Sequence, residues 1–183
     1  MRFLGAVAVV SLCACGGEVI GKIDGNQVKV VESAFVLFKD DPASAGIWLS
    51  DQIGFCELLK KNEIAANSNM LSLSLLRIDD QGRPTTSFDP GTYTVSPPMV
   101  GLPSAPGRFS QLRFFSFDDQ CRGLLVAERS RSVSGSINVS EIDTKRAAGT
   151  FDATFGSEER LTGLFDAPLC DVVISTDPTT CKK

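Results

Sequence analysis

Between Ser134 and Cys170 apolar and polar residues alternate with a period of two in three successive runs. Gly135, Ile137 and Val139 share one face of the first run, which closes at Asp143-Thr144-Lys145-Arg146. The second run puts Phe151, Ala153 and Phe155 on one side and Thr150, Asp152 and Thr154 on the other. After Gly156-Ser157-Glu158-Glu159-Arg160, the third aligns Leu161, Gly163, Phe165, Ala167 and Leu169. Such alternation belongs to antiparallel strands buried on one side only, and it predicts a closing three-stranded meander.

The same reading extends upstream. Glu18 to Gly25 and Gln27 to Val31 are expected to pair about the turn Asp24-Gly25-Asn26. Ser33 to Lys39 is apolar on both faces and reads as a central strand, and Ile47-Trp48-Leu49 begins another. Asp51 to Asn62 is the one helical stretch: Ser50 or Asp51 can cap it, and Ile53, Cys56 and Leu59 form a stripe at helical spacing. Met70 to Ile78, Thr92 to Val95, Phe109 to Phe117 and Leu124 to Glu128 continue the strands, with Pro97 to Gly107 as a surface loop. The fold class that follows is all-β, an antiparallel sandwich or flattened barrel with one short helix.

Asp40-Asp41, Asp79-Asp80 and Asp118-Asp119 recur at equal spacing, each closing a strand. A duplicated hairpin that gathers acidic ends around calcium is one reading. Aspartate's ordinary preference for turns is the other, and it is favoured because no doublet has the D-x-[DN]-x-[DN]-G pattern of a calcium loop. No metal and no cofactor are expected.

The N-terminus has a different character. Met1-Arg2 is followed by an apolar run from Phe3 to Leu12, of signal-peptide length and too short to span a bilayer as a helix. Leu12-Cys13-Ala14-Cys15-Gly16-Gly17 resembles the lipobox of bacterial lipoproteins, with Leu12 at −3, Ala14 at −1 and Cys15 as the modified residue. The resemblance implies cleavage before Cys15 and a diacylglycerol carried as a thioether on its sulfur. Cys13 as acceptor would set bulky Leu12 at the cleavage position; an ordinary signal peptide that merely contains two cysteines is the plainer alternative. Lipoproteins of this class carry two or three acyl chains. At about 0.8 kcal/mol per buried methylene, more than one chain gives stable anchoring. Gly16 is not the aspartate that holds such proteins in the inner membrane, so the expected location is the cell envelope, at the outer membrane of a two-membrane bacterium. The chain then divides into a signal peptide (1–14), an anchor and N-terminal segment (15–26) and a single β domain (27–183).

Loss of Arg2 with the leader reduces 18 basic residues to 17 against 22 acidic, a net charge of −5. That balance argues against a nucleic-acid partner and against a polybasic lipid-binding surface. The chain has no histidine, which removes Ser-His-Asp and Cys-His catalysis and histidine metal sites. The remaining acidic pairs lie in turns, and no serine sits in a nucleophile motif, so catalysis is not expected. Cys56, Cys121, Cys170 and Cys181 lack zinc-module spacing and read as two disulfides of an exported protein. Of the three pairings, Cys170 with Cys181 and Cys56 with Cys121 is preferred, because the first closes a short loop that staples the tail to the last strand.

The runs Trp48 to Leu59, Pro90 to Val95, Ser134 to Asp143, Gly149 to Gly156 and Leu161 to Cys170 together resemble small bacterial lipoproteins of unknown function. That resemblance brings no activity and no site residues. Two functions remain. One is a non-catalytic, membrane-anchored surface or periplasmic lipoprotein whose loops meet a protein or glycan. The other is a carrier of a small apolar ligand in a barrel interior lined by Phe109, Phe114, Phe115, Phe117, Phe151, Phe155 and Phe165. Trp48 and Tyr93 are expected to be wall residues rather than a ligand platform.

Overall fold

The computed structural model describes residues 16–38, 44–85, 88–97, 103, 105–172 and 180–182. The lipobox-like run with Cys13 and Cys15, the Asp40-Asp41 doublet and most of the 97–107 loop lie outside them.

The alternation written along the chain becomes one large sheet. Its strands are β1 (Gly17–Ile20), β2 (Glu32–Leu37), β3 (Ser44–Ser50), β5 (Asn69–Ile78), β6 (Gly91–Val95), β7 (Gly107–Ser116), β8 (Ser132–Ile142), β9 (Arg146–Phe155) and β10 (Arg160–Pro168). A helix α1 (Phe55–Lys60) and the short strands β4 (Glu63–Ala65) and β11 (Thr180–Lys182) form a second, partial layer. The sheet order is β1-β10-β9-β8-β6-β7-β5-β3-β2. Its two ends come back together: Phe35 of β2 bridges Leu169 just beyond β10, and the Cys170 amide donates to the Phe35 carbonyl at 2.7 Å. The Ser33 hydroxyl adds a bond to the Asp166 carbonyl at 2.8 Å. The result is all-β and barrel-like, as expected. It differs from a wholly antiparallel sheet in that β6 runs parallel to β7.

Neighbouring strands approach most closely where side chains are missing. At Gly163 a Cβ would lie 2.0 Å from the Glu18 carbonyl oxygen, and at Gly149 one would lie 2.2 Å from that of Asn138. The rings of Phe151 and Phe165 cover these two glycines, at 2.7 and 2.8 Å from the absent Cβ positions. Glycines so placed let a sheet curl onto itself.

Inside, Leu71, Leu73 and Leu75 of β5 meet Ala45, Ile47 and Leu49 of β3, Leu112 and Phe114 of β7, and Phe151, Ala153 and Phe155 of β9. Tyr93 and Phe35 are fully buried in the same cluster. The Tyr93 hydroxyl donates to the Asp89 carbonyl at 3.2 Å, and burial raises its pKa. Each such side chain contributes on the order of 1.5–3 kcal/mol by leaving water. Of the phenylalanines expected to face the interior, Phe114, Phe151, Phe155 and Phe165 belong to this packed core. Phe115 and Phe117 line the outside of the wall.

Three local expectations are corrected. The opening pair does not form: β1 pairs with β10, while Ile23 and Asn26 exchange two 2.9 Å backbone bonds about a tight turn at Asp24-Gly25. The turn chemistry was sound, but the strand before it found a better edge on β10. Leu124 to Glu128 is not a strand; the amides of Arg129 and Ser130 both turn back to the Val126 carbonyl. The helix begins at Phe55 instead of Asp51, since Asp51 is engaged by Asn69 and Ile53 is 85% exposed.

Both disulfides are present, with the other pairing: Cys56–Cys170 and Cys121–Cys181, at Cα separations of 5.7 and 5.6 Å. The shorter closure lost because β10 delivers Cys170 to the seam beside α1. The tail meanwhile pairs with β4 in parallel, which carries Cys181 to the Cys121 turn.

The described acidic doublets close their turns identically. Asp79 Oδ1 accepts from the amides of Gln81 and Arg83, and Asp118 Oδ1 from those of Gln120 and Arg122. Each carboxylate also pairs with its own arginine. Gly82 and Cys121 take the same left-handed position, φ 73° and 58°. Backbone donation, from Arg83 and Arg122 first, holds both carboxyls below the ordinary aspartate value of 3.8. A carboxyl whose folded pKa is depressed adds stability above its unfolded value and loses it as pH falls through the folded one. Thermal midpoints are therefore expected to hold steady from neutrality toward pH 5 and to fall below about pH 4. A midpoint that rises on acidification from pH 5 to 3 would contradict this.

Candidate functional site: an aromatic groove outside the barrel wall

Most of the outer face is polar, as on β9 and β10, where Asp152 pairs with Arg160. The face of β3, β5 and β7 is the exception. Register sets Trp48 opposite Ser72 and Ser72 opposite Arg113; on the next row it sets Ser50 opposite Met70 and Met70 opposite Phe115. Period two sends all of these outward, since their neighbours Leu49, Leu71, Leu73, Leu112 and Phe114 point in. Small Ser72 separates Trp48 from Arg113 along this row.

On that face the rings form a run. Trp48 stacks on Phe115 with centroids 6.0 Å apart, and Phe115 on Phe117 at 6.2 Å with an interplanar angle of 10°. Phe55 of α1 tilts against Trp48 at 6.4 Å. With Leu58, Leu59 and Ile64 from the second layer they enclose a groove of about 570 Å³. Its polar rim includes Gln52, Asn62, Ser68 and Glu63. Ligand sites are commonly this size, with apolar walls and a few polar groups.

Two polar groups of the lining residues lack a hydrogen-bond or carboxylate partner among the described residues. The Trp48 indole N–H is buried and donates to nothing among the described residues. The Arg113 guanidinium lies over the Phe115 ring, 4.6 Å from its centroid. Arg131 stands opposite Arg113 on a bridging segment, so the two side chains leave the wall on the same face. Among the described residues neither arginine has a carboxylate partner. Burial, and then the nearby charge of Arg131, lower the Arg113 pKa.

The groove's second wall is held from a distance. Glu32 of β2 accepts the Gly54 amide at 2.7 Å and the Cys56 amide at 3.1 Å, doing for α1 what a local cap would do. Beneath the helix, Ala34 and Val36 join Phe55, Leu58, Cys170 and Val172 in a second buried cluster. This explains why both faces of β2 are apolar: one meets the barrel core and the other the helix. Glu32→Ala is expected to destabilise the protein by about 1–2 kcal/mol by orphaning two helix amides. Unchanged denaturant midpoints would show that the cap contributes nothing.

Cys56, Cys121, Cys170 and Cys181 are all taken up in disulfides and offer no thiol. Among the described residues no three acidic or cysteine side chains converge as a metal would require. Trp48, expected to be a wall residue, lies on wall strand β3 and lines the groove. Arg113, Phe115 and Met70 were not anticipated, although the adjacent Phe114-Phe115 breaks the alternation and marks β7 as apolar on both faces. Compared with models of known protein families, with curated proteins and with solved structures, the chain matches none.

Proposed function

We propose that this chain is an envelope lipoprotein, anchored through lipid on Cys15, whose domain is a non-catalytic binding module that uses the outer aromatic groove. The observation that carries the binding role is the groove itself: stacked rings, an indole donor and a guanidinium that have no hydrogen-bond or carboxylate partner among the described residues. The lipobox supports the anchor. Gly16, the next residue, accepts a 2.9 Å bond from the Asp166 amide, so a lipid on Cys15 would be attached one residue from a strand of the barrel. A non-catalytic role is supported by the lack of histidine and by the engagement of Asp79, Asp118, Asp152 and Asp24 with arginines. The reading of a ligand inside the barrel loses its support to the close-packed cluster there.

A photo-reactive residue at Gln52, in the full chain within its native envelope, tests the role. The expected result is a discrete adduct that does not form when the same residue replaces Glu158, on the exposed turn between β9 and β10. No adduct at Gln52, or the same adducts from both positions, would count against it.

A further inference from the structure

The groove is electrically lopsided. Arg113 lines its β7 side with Arg131 bridged beside it, neither with a carboxylate partner among the described residues, and Glu63 of β4 lines the groove as well. Two cations side by side repel each other, and the Arg113 guanidinium is held over the Phe115 ring beside Arg131. An anion placed between them relieves this repulsion and gains charge-assisted, bidentate hydrogen bonds. Inside the polar rim the floor is apolar and aromatic, with Trp48, Phe115, Phe117 and Met70.

Resting on the groove as the binding site, we propose that its ligand is a small free acid with an apolar body. The body lies over Trp48 and Phe115, and the single carboxylate sits against Arg113 and Arg131. About 570 Å³ suits one chain or a pair of rings better than a two-chain phospholipid. Glu63 repels the acid where β4 lines the groove and so biases the direction of binding.

Trp48 is the only tryptophan in the chain, so its emission reports on the groove alone. The full chain, held in nanodiscs of zwitterionic lipid, is titrated with 6-phenylhexanoate and with its neutral amide, 6-phenylhexanamide. The acid is expected to change the emission saturably and to bind about tenfold more tightly than the amide, with the preference shrinking as salt rises. Arg113→Gln should abolish the preference, and a circular dichroism spectrum and denaturant midpoint matching the unsubstituted chain show that the variant is folded. Equal affinity for acid and amide overturns the carboxylate assignment while leaving the groove as a binding site. A preference that survives in Arg113→Gln also overturns it. No response to either compound overturns the small-acid proposal, and the cross-link from Gln52 then judges the groove separately. Nanodiscs containing phosphatidylglycerol complete the test: if that lipid alone changes Trp48 emission and blocks the acid, the ligand is a bilayer lipid and the free-acid proposal fails.

Discussion

Replacing Cys56 and Cys170 together by alanine is expected to lower stability by about 3–5 kcal/mol and the thermal midpoint by roughly 10 °C. The bridge spans 114 residues, and closing a loop of that length restricts the unfolded chain by about 5 kcal/mol in the chain-entropy treatment. Its position adds to the cost. Cys170 is the residue whose amide completes the seam between β2 and the end of β10, and Cys56 is on α1. The same bond therefore holds the barrel shut and the groove wall down. Removal of Cys121–Cys181, which spans 60 residues and ties β11 to a surface turn, should cost less. Peptide mapping under non-reducing conditions together with denaturant midpoints would check both statements. A Cys56–Cys121 linkage, or no loss of stability in the first variant, would refute them.

The meander could be read directly because β8, β9 and β10 follow one another in sequence, pair in that order and bury one face each. Local pattern and global pairing agree there. The disagreements arise where a distant group decides. β1 was assigned a neighbour close in sequence and took β10, more than a hundred residues away. α1 was assigned a cap from Ser50 or Asp51 and received one from Glu32, across the seam. The cystine pairing failed for the same reason, since spacing in sequence does not report which turn lies beside which helix.

The groove was legible only in fragments. Apolar residues on both faces of β2 did signal a second buried surface, though the reason is an added layer rather than a central position in the sheet. Phe114-Phe115 carried the same information for β7. Nothing in either run says that Trp48 and Phe115 become diagonal neighbours, because that depends on the β3–β5–β7 register. Arg113 and Arg131 are eighteen positions apart and meet through a single bridge.

The second large effect concerns the anchor. Cys15→Ser is expected to leave the leader uncleaved or to move the mature domain from the membrane into the soluble fraction, while the fold is unchanged. A thioether cannot form on serine, and two or more acyl chains are what make attachment stable. Intact-mass analysis of the membrane-extracted wild-type chain should show loss of residues 1–14 and added acyl mass on Cys15. An unmodified mature chain, or a Cys15→Ser protein that remains membrane-bound and correctly processed, would rule the anchor out.

The central claim is that binding takes place on the outside of the barrel wall, over Trp48. A sole tryptophan gives one indole N–H resonance, and that proton has no partner among the described residues, so its shift reports a change in its surroundings. The most direct measurement is the ¹⁵N-correlated spectrum of the full chain in nanodiscs, before and after exposure to a small-molecule extract of the native envelope. The account predicts that the Trp48 indole signal moves together with the amides of Phe115 and Leu59, while those of Leu73 and Phe151 in the core stay fixed. Movement of the core signals with a stationary indole, or no movement at all, would contradict it.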